Sequence, residues 1–405
     1  MKMGLSRAKS PDKIDYILLI ILVLMAITSL ISIYSAFGIV GEANGWEYIT
    51  KQLMWFVIGA IAVGVIVYLG NDSMVQFAKL AYWILMACLV YLLLSKLLDK
   101  FIGSNLPYVN PINGATSWFI FPAIGSFQPS EFMKIVLIII TADVIDQHNQ
   151  EKVIESYEMD FTLFLAVAKW ALPPMLLILV QPDTGVVLII AISIIAMIVC
   201  SGIKKQWLII FGSLILFVLV LFFYLYFYHF NFLNDLIGGE GGYKMKRITA
   251  WLNPETNING DGHQLYMALL VLGSAGLSGH GVGQLLVQIP EAQTDFIFAV
   301  IGQSWGLMGT LFIVALCLAL DLHLCRIASN SKNMFEKYFI LGILGMLLYQ
   351  QIQNIGMIIG LLPITGITLP LISYGGSSLL SYLIAFAIVM NASAKARKLS
   401  DYVYE

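Results

Sequence analysis

Long runs of apolar residues, separated by short polar stretches, dominate the chain between residues 16 and 393. Each run is long enough to cross a bilayer as a helix, and none shows the alternation of polar and apolar positions that membrane strands require. The pattern predicts ten spans, at residues 16–39, 52–69, 75–97, 130–147, 162–181, 184–202, 206–229, 294–322, 336–361 and 370–393. We therefore expect an all-α polytopic membrane protein with a single transmembrane domain over residues 1–405.

The composition supports a protein whose solvent is lipid. Hydrophobic residues make up 59% of the chain and charged residues only 11%, whereas about a quarter of the residues in soluble domains are charged. The first apolar run is too long for the core of a cleavable signal peptide, so a first span is expected there. The net charge of −2 does not indicate a nucleic-acid partner. The four cysteines and five histidines are scattered and indicate neither a disulfide framework nor a metal site.

Lys and Arg residues indicate which side of the membrane each loop faces. Ten spans put both termini on one side, and the tails and short loops of that side carry many basic residues: Lys2, Arg7, Lys9, Lys13, Lys204, Lys205, Arg326, Lys332, Lys337, Lys395, Arg397 and Lys398. This bias predicts a cytoplasmic location for both termini, with tails at 1–15 and 394–405. Loops 98–129 and 230–293 are then extracytoplasmic, and the large loop 230–293 joins spans seven and eight.

Charged residues at the predicted outer end of the fourth span are the first candidates for function. Pro129 and Ser130 are typical of a helix start, and Glu131 and Lys134 follow at a spacing that places them on one helix face. Ionisable residues within a span are costly and commonly functional. The alternative is a structural ion pair that makes insertion tolerable.

Two aspartates lie at the same predicted outer level. Asp295 follows Thr294 at the mouth of a strongly apolar span, where partial burial would raise its pKa and suit it to proton transfer. Asp183 lies in the turn between the fifth and sixth spans. For both, a helix-capping role is the alternative, because aspartate is favoured at helix N-termini.

The remaining candidates are polar groups on outer loops. Arg247 belongs to a basic cluster that suits phosphate, either of lipid head groups or of a substrate. The segment 363–378, rich in Gly and Pro, ends in Ser377 and Ser378 and predicts irregular backbone at membrane depth. Such backbone is tolerated only where protein or a watery cavity covers it. Asn354, within the preceding span, also requires a polar partner.

Several of these stretches together resemble the SEDS family, named for shape, elongation, division and sporulation. The matching segments occur in the family's order and extend over nearly the whole chain: 114–119, 128–134, 181–185, 247–254, 293–306 and 354–378. The resemblance implies a peptidoglycan glycosyltransferase that polymerises lipid II, an undecaprenyl-diphosphate-linked disaccharide. The expected place is the outer face of the bacterial cytoplasmic membrane, and the expected partner is a class B penicillin-binding protein, a transpeptidase.

The resemblance also implies roles for individual residues. Asp295 takes the position of the family's essential acidic residue, and Glu131 and Lys134 line the same cavity. We expect Asp295 to act as general base, Lys134 and Arg247 to stabilise the leaving diphosphate, and Glu131 to hold Lys134. No protein metal ligand is predicted, although a divalent cation such as Mg²⁺ or Mn²⁺ is compatible with the reaction. Further residues are expected to bind substrate or shape the cavity: Trp118, Asp183, Thr294, Asn354, Ser377 and Ser378.

Two departures from the family pattern stand near the candidate base. Gln293 replaces a common histidine, and Gln303 and Ser304 stand where members commonly carry two acidic residues. Within the family, segments 117–119 and 247–254 are most similar to the RodA branch, which implies a role in cell-wall elongation and cell shape.

Two other functions are compatible with the sequence. A lipid II flippase would use the same cavity, because interrupted helices also suit transporters. It would need a polar route to the cytoplasmic side, whereas the charges found here cluster at the outer mouth. A non-catalytic membrane scaffold for a transpeptidase would tolerate the substitution Asp295→Ala.

Overall fold

Helices form most of the regular structure in the computed structural model, which describes residues 14–37, 41–111, 115–121, 125–151, 156–237, 243–258, 260, 262–284 and 287–404. In chain order they are α1 (Tyr16–Ser35), α2 (Glu42–Leu69), α3 (Met74–Ile102), α4 (Pro129–Glu151), α5 (Tyr157–Val180), α6 (Thr184–Val199), α7 (Lys205–Tyr228), α8 (Phe230–Ile237), α9 (Tyr243–Leu252), α10 (His263–Ser274), α11 (Ile297–Asn330), α12 (Met334–Ile358) and α13 (Gly376–Tyr404).

Each predicted span overlaps one of the long helices, α1 to α7 and α11 to α13, although the last helix begins at Gly376 and not at residue 370. Among the described residues, seven helices are long and apolar enough to cross a membrane: α1, α2, α3, α5, α7, α11 and α13. Helix α6 is apolar but shorter. The total of ten spans and the side that each loop faces stay predictions.

Helices α4 and α12 lie at the centre of the bundle. Nearly every side chain from Pro129 to Ala142 is buried, and α12 is buried along most of its length. A helix that is buried all round needs neighbours on every side, and α4 packs against α3, α5, α6, α12 and α13. Helix α7 is the opposite case, because none of its residues is buried and its apolar surface is left for lipid.

A break in α11 admits the loop that follows α10. Gly306 has φ 63°, outside the helical range, and the backbone of the loop approaches it closely. His280 N donates to Gln303 O at 2.8 Å, and Gly281 N donates to Ser304 O at 3.0 Å. The loop therefore satisfies backbone carbonyls that the helix leaves without partners. The two residues that depart from the family's acidic pair lie at this break.

A short β-hairpin precedes α4 and was not predicted. Strand β1 (Phe119–Phe121) pairs antiparallel with β2 (Gly125–Phe127), so that Phe119 faces Phe127. Aromatic residues favour extended backbone, but three-residue strands are too short to leave a clear periodic signal. The described part of the predicted loop 230–293 contains further elements that were not predicted, namely α8, α9, a 3₁₀ turn at Pro254–Asn257 and α10.

Candidate functional site

The irregular segment between α12 and α13, residues 359–375, is the centre of the candidate site. It is described throughout, and we call its middle part, residues 363–375, the central loop. Asn354 is fully buried beneath it and donates from Nδ2 to Asp295 O at 2.7 Å and to Ile367 O at 2.8 Å. One amide therefore ties the central loop to the segment that enters α11.

Asp295 lies against the central loop, two residues before α11. At Gly366, with φ 73°, a Cβ would stand 3.3 Å from Asp295 Oδ2. The residue as a whole is partly exposed, whereas its carboxyl group is largely surrounded by protein. Burial raises the pKa of Asp295 to about 6, the charge of Glu291 adds to the rise, and the charge of Arg247 opposes it. The group can therefore gain or lose a proton near neutral pH.

Arg247 and Thr294 border the same carboxyl group. The Arg247 guanidinium donates to Ile364 O at 3.3 Å, which attaches α9 to the central loop. Thr294 O accepts from Ser373 Oγ at 2.7 Å, and Thr294 Oγ1 donates to Glu291 Oε2 at 3.1 Å. These contacts place a cation, a carboxyl group and a hydroxyl group at one side of the central loop, which we call the Asp295 corner.

Glu131 and Lys134 form a closed ion pair elsewhere in the bundle. Lys134 Nζ lies 2.6 Å from Glu131 Oε2 and donates to Tyr382 OH at 3.1 Å. Gln350 Nε2 also donates to Tyr382 OH, at 2.7 Å. The Lys134 side chain is 0% exposed, so its charge is enclosed by protein groups. This arrangement favours the structural-pair alternative over direct contact of Lys134 with a substrate.

Asp183 caps the N-terminus of α6 and accepts hydrogen bonds from residues at the start of α4. It accepts from Gln128 Nε2 at 2.7 Å, from Ser130 Oγ at 3.1 Å and from Val186 N at 3.4 Å. Burial raises the pKa of Asp183, and the nearby charge of Glu131 adds to the rise. The hydrogen bond from Val186 N is the contact expected of a helix cap. The effect of the Glu131 charge on the pKa of Asp183 shows that Asp183 lies near the Glu131–Lys134 pair.

Ser377 joins the hairpin to α13, and Trp118 contacts the same Gln128 that Ser377 contacts. Trp118 Nε1 donates to Gln128 Oε1 at 3.0 Å. Ser377 Oγ accepts from Gln128 N and donates to Ser126 O, both at 3.1 Å. Ser378 lies partly exposed in the first turn of α13. We call this group, together with Asp183 and the Glu131–Lys134 pair, the Lys134 corner.

The central loop lies between the two corners. A Cβ at Gly185, two residues after Asp183, would stand 3.3 Å from Ile367 Cγ1 and 3.8 Å from Thr365 O. Gly366, between these two residues, approaches Asp295. The structure therefore gathers the predicted residues in two groups on a shared loop. The Asp295 corner holds Arg247, Thr294, Asp295 and Asn354, and the Lys134 corner holds Trp118, Glu131, Lys134, Asp183, Ser377 and Ser378.

Tyr382 and Gln350 were not predicted as site residues, although both contact the ion pair or its partner. Each lies four residues along a helix from a predicted residue, Tyr382 after Ser378 and Gln350 before Asn354. Residues at this spacing share a helix face. Their spacing of four residues from a predicted site residue on the same helix would have identified both as candidates.

The described residues contain no group of three or more His, Cys, Asp and Glu side chains that could hold a metal ion. Asp183 and Glu131 are near one another, but Lys134 already supplies the positive charge there. The donor set of this corner therefore does not fit a divalent cation.

Comparison with known proteins identifies the family. Residues 15–398 match the family model described as "Cell cycle protein", which covers FtsW, RodA and SpoVE. The chain therefore belongs to this family, the SEDS family, and is a multi-pass membrane protein.

Curated relatives match over most of their length. The chain is 34% identical over 334 residues to the probable peptidoglycan glycosyltransferase FtsW of Lactococcus lactis, covering 77% of each chain. It is 32% identical over 400 residues to stage V sporulation protein E of Bacillus subtilis, covering 95% of this chain and 98% of the relative.

Solved structures share the fold. A chain of a peptidoglycan synthase complex, described as coordinating polymerization and crosslinking, has a TM-score of 0.71 at 21% identity, covering 95% of this chain and 98% of that one. The rod shape determining protein RodA of Thermus thermophilus has a TM-score of 0.61 at 22% identity, covering 94% and 96%.

Proposed function

We propose that this protein is a peptidoglycan glycosyltransferase that polymerises lipid II at the outer face of the bacterial cytoplasmic membrane. Family membership and the names of the curated relatives support the reaction class. The observation that carries the mechanism is the Asp295 carboxyl group beside the central loop, because burial raises its pKa to about 6, which suits a base that works near neutral pH.

The reaction joins a sugar 4-hydroxyl to the anomeric carbon of a second sugar, and the bond from that carbon to the lipid diphosphate breaks. The ionised Asp295 carboxylate removes the proton of the attacking hydroxyl, which is otherwise a weak nucleophile. The diphosphate leaves with the bonding electron pair. Arg247, whose charge already acts on Asp295, is placed to stabilise the departing negative charge.

The Glu131–Lys134 pair takes a positioning role in this proposal. Lys134 is enclosed by protein groups, whereas the charge of Arg247 acts on the Asp295 carboxyl group. Lys134 instead connects α4 to α13 through Tyr382. The positioning role keeps α4 and α13 at a fixed separation on one side of the central loop.

The remaining predicted residues divide by exposure. Trp118, Asp183, Thr294 and Ser378 are partly exposed and are proposed to contact substrate, whereas Asn354 and Ser377 are buried and form its frame. The proposal assigns no step to a divalent cation.

The proposed orientation keeps ten spans and cytoplasmic tails at 1–15 and 394–405, with the central loop and loop 230–293 outside. A class B penicillin-binding protein is the proposed partner, supported by the solved synthase complex that couples polymerization to crosslinking.

The elongation role rests on the RodA-like segments. The curated relatives include FtsW and stage V sporulation protein E, so the family contains members with other names than RodA. Depletion of this protein in cells would distinguish a role in elongation from a role in division. Rounded cells support elongation, and filaments assign the protein to division.

Lipid II polymerisation by the purified full chain, with and without the partner transpeptidase, tests the proposal. We expect glycan chains from the wild type and a loss of about 10²- to 10⁴-fold in rate for Asp295→Asn, the range for a general base. Asp235→Asn is the matched control, because it makes the same chemical change on an exposed residue of α8. It is expected to keep full activity.

Other outcomes would assign the protein elsewhere. Asp295→Asn with wild-type rate would leave Asp295 a structural residue and favour the scaffold. The flippase would be favoured by a different result. The wild-type protein would then make no glycan, even with its partner, but would transfer lipid II across vesicle membranes.

A further inference from the structure

A polar cavity lies at the opposite end of α11 from Asp295. Its volume is about 690 Å³, and the beginning of α1, the end of α11 and the C-terminal part of α13 enclose it. We call it the terminal cavity. Its lining residues are Asp15, Tyr16, Ile17, His323, Arg326, Ile327, Ser329, Asn330, Ser331, Lys332, Ser393, Ala396 and Arg397. None of them belongs to either corner of the central loop.

Positive charge prevails in the terminal cavity. Arg326, Lys332 and Arg397 contribute three cations, against the single carboxyl group of Asp15. Arg326 and Lys332 have no hydrogen-bond or ion-pair partner among the described residues, and both are exposed. Arg397 is held in place, because its Nη2 donates to Ile14 O at 3.0 Å and its Nε to Ser393 O at 3.5 Å. The cavity therefore has one fixed and two uncommitted cations.

The carboxylate in the terminal cavity is already occupied by protein groups. Asp15 Oδ1 accepts from Leu18 N at 3.1 Å, and Asp15 Oδ2 accepts from Ser393 Oγ at 2.5 Å. His323 Nε2 lies 3.1 Å from the same Oδ2. Burial alone would raise the pKa of Asp15, but these hydrogen bonds and the His323 charge hold it below its usual range. Asp15 thus joins α1, α11 and α13 and is not available to pair with Arg326 or Lys332.

The rim of the terminal cavity is apolar and continues along the lipid-facing surface. Tyr16 and Ile17, which line the cavity, are each 53% exposed, and Ile20 on the next turn of α1 is 59% exposed. On α11, Leu322 lies one turn before Arg326 and is 61% exposed. A ligand that fills the cavity from the membrane side would meet cations at its head and exposed hydrocarbon along its length.

We propose that the terminal cavity binds the phosphodiester head group of an anionic phospholipid, with the acyl chains lying along α1 and α11. Phosphate oxygens supply the acceptors that guanidinium and ammonium donors recognise. Basic pockets between helices at a membrane surface suit anionic head groups. A soluble anion would use only the cations, whereas a phospholipid also covers the exposed side chains of Ile17, Ile20 and Leu322.

Thermal unfolding of the full chain in a neutral detergent tests this proposal, with dioleoylphosphatidylglycerol or dioleoylphosphatidylcholine titrated in. Phosphatidylglycerol is expected to raise the melting temperature in a saturable manner, and phosphatidylcholine is not. In the variant Arg326→Gln/Lys332→Gln we expect the apparent affinity for phosphatidylglycerol to fall at least about tenfold, since each lost charge-assisted contact accounts for about that factor. The unchanged melting temperature of the lipid-free variant shows that it is folded.

Lys205→Gln is the matched control, because it removes an exposed positive charge from the start of α7, away from the terminal cavity. It is expected to keep wild-type affinity. Wild-type affinity in the double variant would overturn the proposal, because the lipid would then bind elsewhere. An equal rise in melting temperature with inorganic phosphate alone would also overturn it, because the ligand would then be a soluble anion.

Discussion

Glu131 and Asp295 are acidic residues that flank one loop, yet their surroundings are opposite. Glu131 is paired with Lys134 at 2.6 Å, and the lysine is completely enclosed. Asp295 is partly exposed, and its pKa of about 6 reflects burial that the nearby Arg247 only partly offsets. The sequence places both at the start of an apolar helix, so position does not separate them. They differ in how far protein groups already satisfy the carboxylate.

The charges of these two carboxylates have opposite effects on stability. A buried ion pair contributes little net stability, but removing one partner leaves an uncompensated charge in a low-dielectric interior. A carboxylate whose pKa is raised is itself destabilising when ionised at neutral pH. Removing the positive charge of Lys134 should therefore destabilise the folded protein. Removing the negative charge of Asp295 should stabilise it.

The largest expected effect on stability comes from Lys134→Met. It leaves Glu131 buried without its cation and should lower the free energy of unfolding by about 3–5 kcal/mol. The double variant Glu131→Gln/Lys134→Met removes both charges and should recover most of this loss. Thermal unfolding of the purified protein in one detergent measures all three.

Lys51→Met provides the control for that series. Lys51 pairs with Glu47 on the exposed surface of α2, where both side chains are more than a third exposed. Exposed pairs of this kind contribute about 0–1 kcal/mol, so a small change is expected. A wild-type melting temperature for Lys134→Met would contradict the structural role and return Lys134 to the substrate-binding candidates.

The next effect has the opposite sign. Burial raises the pKa of Asp295 from 3.8 to about 6, so its charge destabilises the folded state at pH 7 by up to about 3 kcal/mol. Stability is lost as the pH rises from the unfolded value through about 6, since the folded state holds the proton more tightly. Asp295→Asn should therefore raise the melting temperature while it lowers the rate of polymerisation by about 10²- to 10⁴-fold. A melting temperature that falls would show that the carboxylate is structural.

Hydropathy predicted the helices of this fold because apolar length alone decides which segments cross a membrane. It missed the helices of loop 230–293 and the hairpin, whose elements are short and whose sequence is polar or aromatic. The candidate site was predicted only as a set of residues. The spacing of Glu131 and Lys134 predicted their pairing, but Tyr382, some 250 positions away, encloses the lysine. Such long-range packing leaves no local pattern.

The pH dependence of polymerisation sharpens the assignment of Asp295. A base must be ionised, so kcat/KM should fall about tenfold per pH unit below about pH 6. Arg247 lowers the pKa of Asp295, so Arg247→Gln should move the inflection to higher pH, besides reducing the rate. Initial rates between pH 5 and 8 measure both, with Asp235→Asn as the variant whose inflection stays in place. A flat wild-type profile would remove Asp295 as the base.

The smallest effect concerns the frame of the Lys134 corner. Ser377 Oγ bridges Gln128 N and Ser126 O, so Ser377→Ala leaves one donor and one acceptor of another segment without a partner. We expect a loss of about 1–2 kcal/mol in unfolding free energy. Ser381, which is also buried on the same helix, donates only to Ser378 O, three residues back, and Ser381→Ala should be nearly neutral. Equal melting temperatures for the two variants would contradict the bridging role, because only Ser377 joins α13 to the hairpin that leads into α4. A drop confined to Ser377→Ala would show that the polar groups of this corner serve to hold elements together, in contrast to the carboxyl group of Asp295.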